Sequence, residues 1–405
     1  MAGVVQALDG LKLVIFGAYA AGPHIGKVLA NYGATVVHVE SRERPDGFRL
    51  QYPPFKGRPG LDRSACFSYF NDSKYAVTLN LKAPDGMALA HRLAAWSDVV
   101  IENMRPGVME RLGLGYEALA KEKPGIIMLS TCNMGQTGPR ADQPGFGSQL
   151  SALAGFCGLT GDPDGPPMLL YGPYIDFIAS SLGSAAVLAA LDQRQRTGKG
   201  CYIDVSQYEG GVNFIAGAMF DYFENGTVAH RAANDDLQAT PHGAYLCEAE
   251  RWLALSCWSD AEFAVLASAM DQPALPKDAR FADAASRHAN RALLDDVLAA
   301  WCRPRDAEAT AALLQEAGLR AHLVTSIAGL FTDPQLVHRK TWRKRRHPVI
   351  GDQSYYFPGF DLSRTPGDIT GPAPCFAADN HAVYRELLGL SEAEYDSLCK
   401  EGAID

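Results

Sequence analysis

Apolar and polar positions in the first half of the chain alternate between two periods. Leu13-Val14-Ile15-Phe16 is a short unbroken apolar run, the pattern of a strand buried on both faces, and Thr35-Val36-Val37-His38-Val39 is a second. Between them, 17–22 reads as a loop and 23–32 as a helix, with Pro23 in its first turn and Gly33 past its end. The rhythm continues with a strand over 75–81, a helix over 84–96, an extended stretch over 98–101, a short helix over 116–121 and an extended stretch over 125–129. A small-residue apolar helix over 177–191 follows, and after the Thr197-Gly198-Lys199-Gly200 stop comes a strand over 202–205. Strands alternating with helices predict a Rossmann-like parallel sheet covered on both faces, an α/β fold.

Near residue 225 the texture changes. A strand over 251–256, helices over 260–270, 286–301 and 307–317, and an extended stretch over 321–324 predict a smaller α+β domain. Residues from 348 read as loop-rich until a helix over 380–388 and a last helical turn after Ser391. The expected organisation is a large domain over 1–224, a small domain over 225–330 and a C-terminal segment over 331–405.

Composition removes several classes of function. With 405 residues and 47% hydrophobic content the chain can fill sizeable cores. Lys and Arg number 37 against 46 Asp and Glu, a net charge of −9 that repels nucleic acid. The densest basic run, 338–347, reads as a solvated edge or connecting segment, with anion binding as the alternative. Nine cysteines without Cys-x-x-Cys or Cys/His zinc spacing read as reduced thiols with no metal, in a cytoplasmic setting. No apolar run approaches the roughly 20 residues of a membrane helix. The first ten residues lack the basic and apolar regions of a signal peptide, so neither membrane nor export is expected.

The candidate chemistry centres on Asp176, in Gly172-Pro173-Tyr174-Ile175-Asp176 at the mouth of the small-residue helix. Its charge has no partner in the local sequence, which leaves two readings: a helix N-cap or a reactive carboxylate. The strand–helix–strand start also invites a dinucleotide site, with Glu40 closing the second strand. Against NAD binding, Gly17-Ala18-Tyr19-Ala20-Ala21-Gly22 carries Tyr19 where the backbone should approach a pyrophosphate.

Ordered motifs extend beyond Asp176: Ala21-Gly22-Pro23, Asn71-Asp72-Ser73-Lys74, Asp98 to Gly113 with its Glu102-Asn103 and Arg105-Pro106-Gly107 steps, Gly135-Gln136-Thr137-Gly138-Pro139, and Asp333-Pro334. Together they resemble family III CoA-transferases, the CaiB/BaiF, formyl-CoA-transferase-like group. The resemblance implies that Asp176 is the nucleophile, forming an aspartyl anhydride and then an aspartyl-CoA thioester. It implies CoA contacts at Tyr19, Asn103, Met104, Arg111 and Leu112, with Arg105 and Lys74 as neighbouring basic groups. Coenzyme A thioester is then a substrate, with no permanently bound cofactor and no metal. It further implies an interlocked dimer, as a homodimer or with a homologous subunit, in which the late segment returns to the large domain.

The beginning of the chain resembles benzylsuccinate CoA-transferase subunits, which implies a succinyl-CoA donor and an aryl-substituted succinate acceptor. Three departures stand out. Cys132-Asn133-Met134 stands where relatives often carry aromatic or basic residues, the glycine-rich loop that covers the site in some members is not evident, and Glu40-Ser41 lacks an immediately following Arg, with Arg42, Arg44 and Arg49 nearby. Acyl-CoA racemases of the same fold family need a His soon after the Gly-x-x-Gly-Pro turn. Residues 143–151 contain none, and His24 and His242 read as ordinary polar or core histidines.

Overall fold

A computed structural model describes residues 5–172 and 174–404. Residues 1–4 of the N-terminal stretch and Pro173 of the 172–176 motif lie outside the described residues. The chain divides into two compact units. The first comprises Met1–Cys157, Leu169–Val228 and Gln335–Asp405, and the second Gly158–Met168 and Ala229–Pro334. Residues 158–168, expected in the large domain, group with the second unit.

The first unit is built on a six-stranded parallel sheet: β1 (Lys12–Phe16), β2 (Thr35–Glu40), β3 (Tyr75–Thr78), β4 (Val99–Glu102), β5 (Ile127–Cys132) and β6 (Tyr202–Ser206), in the order β3-β2-β1-β4-β5-β6. Because side chains alternate along a strand, one sheet carries two cores. Val14, Phe16, Val37, Val77, Val100 and Met128 pack with Leu89 and Leu93 of the Pro84–Trp96 helix. Leu13, Ile15, Val36, Ile101, Ile127 and Leu129 pack with Ile25 and Leu29 of the Ala21–Ala30 helix and with Val187 and Ala190 of the Tyr174–Thr197 helix. The order reverses at β1, so the chains leaving β1 and β4 diverge and open a crevice at the sheet's carboxyl edge. Pro23 sits in the first turn of its helix, where a missing N–H costs nothing.

Three expectations change. The Tyr174–Thr197 helix has 24 residues and a mean hydropathy of 1.6 in its most apolar window, long and apolar enough to cross a membrane by composition. It packs instead on β5 and β6. Residues from 348 are not all loop: Gly351–Tyr356 (β11) pairs antiparallel with Trp342–His347 (β10), so the basic run is half of a hairpin. Arg343 and Arg345 both bond Asp368, at 3.1 and 2.8 Å, a partner remote in sequence. The C-terminal segment lies along the β3 edge, where Asp379 and Asn380 accept the Ala76 and Thr78 N–H groups at 2.8 Å each.

The second unit holds an antiparallel sheet of β7 (His242–Leu246), β8 (Trp252–Ser256) and β9 (Arg320–Leu323). Leu253, Phe263, Leu294, Leu298 and Leu314 form its core. The helix expected over 286–301 is two, Ala284–Ala289 and Arg291–Cys302, parted at Asn290, whose side chain donates to Ser286 O at 2.9 Å.

Candidate active site

The crevice at the reversal of strand order widens into a cleft of about 740 Å³. Its walls come from the loops after β1 and β4, the end of β5, the 141–149 stretch and the start of the Tyr174–Thr197 helix. Asp176 lies in the first turn of that helix and lines the cleft. Desolvation pushes its carboxyl up to about 6, opposed by its own backbone N–H. Among the described residues no basic side chain forms an ion pair with it. The carboxylate is half-buried, with only the positive end of the helix to favour its charge.

A second cavity of about 420 Å³ adjoins the first, with Glu43, Arg44, Lys82, Val108 and Leu112 in its wall. Tyr19, Asn103 and Met104 line both. Asn103 clamps the β1 loop: its Oδ1 accepts the Ala18 N–H at 3.0 Å and its Nδ2 donates to Ala18 O at 2.6 Å. Gly17 makes that clamp possible, because a Cβ there would strike the Asn103 amide. Met104 is held by its N–H donating to Glu102 at 2.7 Å. Burial pushes the Glu102 carboxyl up to about 7.

The other expected contacts scatter. Arg105 is exposed on the rim of the larger cleft, and Leu112 lines the smaller cavity. Arg111 is exposed and lines neither. Lys74, expected as a basic group near CoA, lines neither cavity. Its ammonium is internal and donates to Pro23 O, Phe70 O and Asn71 Oδ1 at 2.6, 2.9 and 2.8 Å, and burial lowers its pKa to about 7. Arg49 is likewise spent inside, gripping both oxygens of Glu40 at 2.8–3.1 Å. Glu40 is therefore closed to a nucleotide ribose, which removes the dinucleotide reading.

Sequence reasoning missed the aromatic character of the cleft. Phe48, Tyr52 and Phe146 join Tyr19 in its lining, with Tyr19 at 5.4 Å from Phe48 and 5.7 Å from Phe146 between ring centres. The four rings come from three segments, Phe48 and Tyr52 sharing one, and no sequence pattern links the three. Gln207, first residue of the Gln207–Phe214 helix, was also missed. No histidine lines the cleft among the described residues. His24 is buried, bonded to Ser180 Oγ at 2.7 Å and to the Tyr356 hydroxyl, and burial lowers its pKa to about 3. Cys132 faces the cleft as a thiol pushed up to about 11 by burial, with Asp204 and Glu102 adding to the shift. Among the described residues no cluster of three His, Cys, Asp or Glu could hold a metal ion.

A parallel sheet with a desolvated carboxylate over its carboxyl edge does not by itself name a reaction, and the comparisons give the class. The model of CoA-transferase family III matches residues 8–380. The chain is 33% identical over 395 residues to succinyl-CoA–D-citramalate CoA-transferase of Chloroflexus aurantiacus, covering 96% of this chain and 95% of that one. It is 30% identical over 394 residues to the alpha subunit of succinyl-CoA–L-malate CoA-transferase from the same organism, covering 96% and 91%. A crystal structure of a CaiB/BaiF family protein from Brucella suis matches with a TM-score of 0.87 at 28% identity, over 94% of this chain and 99% of that one. The chain belongs to CoA-transferase family III. It is an enzyme, a CoA-transferase acting on CoA thioesters and acids.

Proposed function

We propose that the enzyme moves CoA from succinyl-CoA to a dicarboxylic acid through Asp176. The observation that carries this is the Asp176 carboxylate itself, desolvated, without a cation and open to a 740 Å³ cleft. An unpaired carboxylate is a better nucleophile than one held in an ion pair. It attacks the thioester carbonyl and expels CoA thiolate, leaving an aspartyl–succinyl anhydride. The thiolate then attacks the Asp176 carbonyl, releasing succinate and leaving an aspartyl-CoA thioester. An acceptor carboxylate attacks in turn, and CoA thiolate leaves and re-attacks the acceptor carbonyl, restoring Asp176. One thioester is consumed and one formed.

CoA spans both cavities in this reading. Arg44 and Lys82 meet its phosphates in the smaller one, Tyr19, Asn103, Met104 and Leu112 flank its pantetheine arm, and Arg105 stands at the rim of the larger. The donor follows the printed activities of the relatives, which use succinyl-CoA. Four aromatic rings in the larger cleft favour an aryl-substituted succinate as acceptor. We place the enzyme in the cytoplasm, in keeping with nine free cysteines. We also place it in an interlocked dimer, homomeric or with a homologous subunit. Phe220 and Phe223, 66% and 80% exposed on the Ala216–Asn225 helix, support a partner chain.

The test offers succinyl-CoA with malate, citramalate, glutarate and 2-benzylsuccinate, and reads CoA products by mass spectrometry. Preferred transfer to benzylsuccinate is expected. Transfer only to the small acids moves the acceptor, and no acceptor-dependent transfer with any acid sinks the reading.

A further inference from the structure

Tyr19 lines both cavities, so the direction of its ring shapes the passage between them. Its backbone is in the left-handed region, with φ of 67°, a conformation that a bulky aromatic residue adopts only under constraint. The constraint is visible. The Tyr19 N–H donates to both oxygens of Asp46, at 3.1 Å each. Asp46 is 1% exposed and is itself fixed at two further points. Its Oδ1 accepts the Phe48 N–H at 2.8 Å, and its own N–H donates to Glu40 Oε1 at 2.9 Å. Glu40 ends β2 and is locked by Arg49, so the carboxylate that meets Tyr19 is anchored to the sheet.

The neighbouring peptide is pinned from the opposite wall, by Asn103 on Ala18. Two consecutive residues held from β2 and β4 leave the Tyr19 Cα–Cβ bond one direction. The ring then rests on Gly47, where a Cβ would collide with it, and its hydroxyl accepts a hydrogen bond from Gln51 Nε2 at 3.0 Å.

We infer that Asp46 is a positioning residue for CoA binding, acting through the Tyr19 backbone to hold the ring between the two cavities. The inference rests on the placement of CoA across both cavities. Asp46→Ser keeps a cap for the Phe48 N–H but loses the two-oxygen hold on Tyr19. It raises the acyl-CoA KM about tenfold, the scale of one lost hydrogen bond, and changes kcat less than about threefold. Asp46→Asn, which retains an acceptor oxygen, brings KM back to within about threefold of the parent. Gly47→Ala displaces the ring with Asp46 intact and raises KM in the same way.

The deciding measurement is a double-mutant cycle on CoA affinity by titration calorimetry. In a Tyr19→Gly background Asp46→Ser adds nothing further. An equal loss in both backgrounds assigns Asp46 a merely structural role and overturns the inference, as does an unchanged affinity in folded Asp46→Ser. Unchanged CoA affinity in Tyr19→Gly itself instead overturns the placement of CoA.

Discussion

Two carboxylates in the first unit occupy opposite extremes. Glu40, at the end of β2, is buried, yet the hydrogen bonds and charge of Arg49 outweigh the desolvation and hold it below the usual carboxylate range. Asp176, in the first turn of its helix, is less buried, yet only its own backbone N–H opposes its desolvation and it rises to about 6. Depth therefore does not decide which way a carboxylate's pKa moves; partners do. A carboxylate with a donor on each oxygen serves as a joint, and in the proposed reaction one with few donors keeps its electron pairs for attack.

The largest expected effect breaks the unpaired member. Asp176→Asn lowers steady-state turnover by about 10³-fold or more, while CoA affinity by calorimetry stays within about threefold. The same variant melts at a higher temperature than the parent at pH 8, because it no longer carries a desolvated charge. Near-normal turnover would erase the contrast with Glu40. Breaking the paired member gives the reverse outcome. Arg49→Leu strands the Glu40 charge and costs about 3–5 kcal/mol in chemical unfolding. Stability within about 1 kcal/mol of the parent would mean that the joint is dispensable.

The smallest effect is a matter of sign with pH. Asp176 has a folded-state pKa above its unfolded value, so turnover falls about tenfold per unit below pH about 6. Its contribution to stability runs the other way, declining as pH rises from about 4 to about 6. Glu40, lowered on folding, contributes stability above its unfolded pKa and loses it as pH falls through its folded pKa. A turnover profile flat from pH 5 to 8, with calorimetric stability unaltered in Asp176→Asn, would remove the distinction.

What the sequence disclosed follows the range of the interactions involved. The parallel strands were legible because a run such as Ile127–Leu129 is apolar on both faces whatever covers it. The β10–β11 hairpin was not, since Arg343 and Arg345 are matched by Asp368, more than twenty residues away, and a lone run of cations reads as solvated. Lys74 misled for a related reason. Two of its three acceptors, Pro23 O and Phe70 O, are backbone atoms with no sequence signature. Asp176 could be singled out by its motif, but the rings of Phe48, Tyr52 and Phe146 around it meet only in the folded chain.

Cys132 gives the cleft a property of a different kind. Its lining carries a sulfur as well as the Asp176 oxygens, and a cysteine is a nucleophile only as its thiolate. With burial pushing its thiol up to about 11, Cys132 is held in the protonated form at neutral pH. Gln136 Nε2, 3.6 Å from the sulfur, does not offset the nearby Asp204 and Glu102. Burial acts on the two groups alike, raising the Cys132 thiol and the Asp176 carboxyl, and the sulfur is thereby kept in its unreactive thiol form on the wall of the cleft.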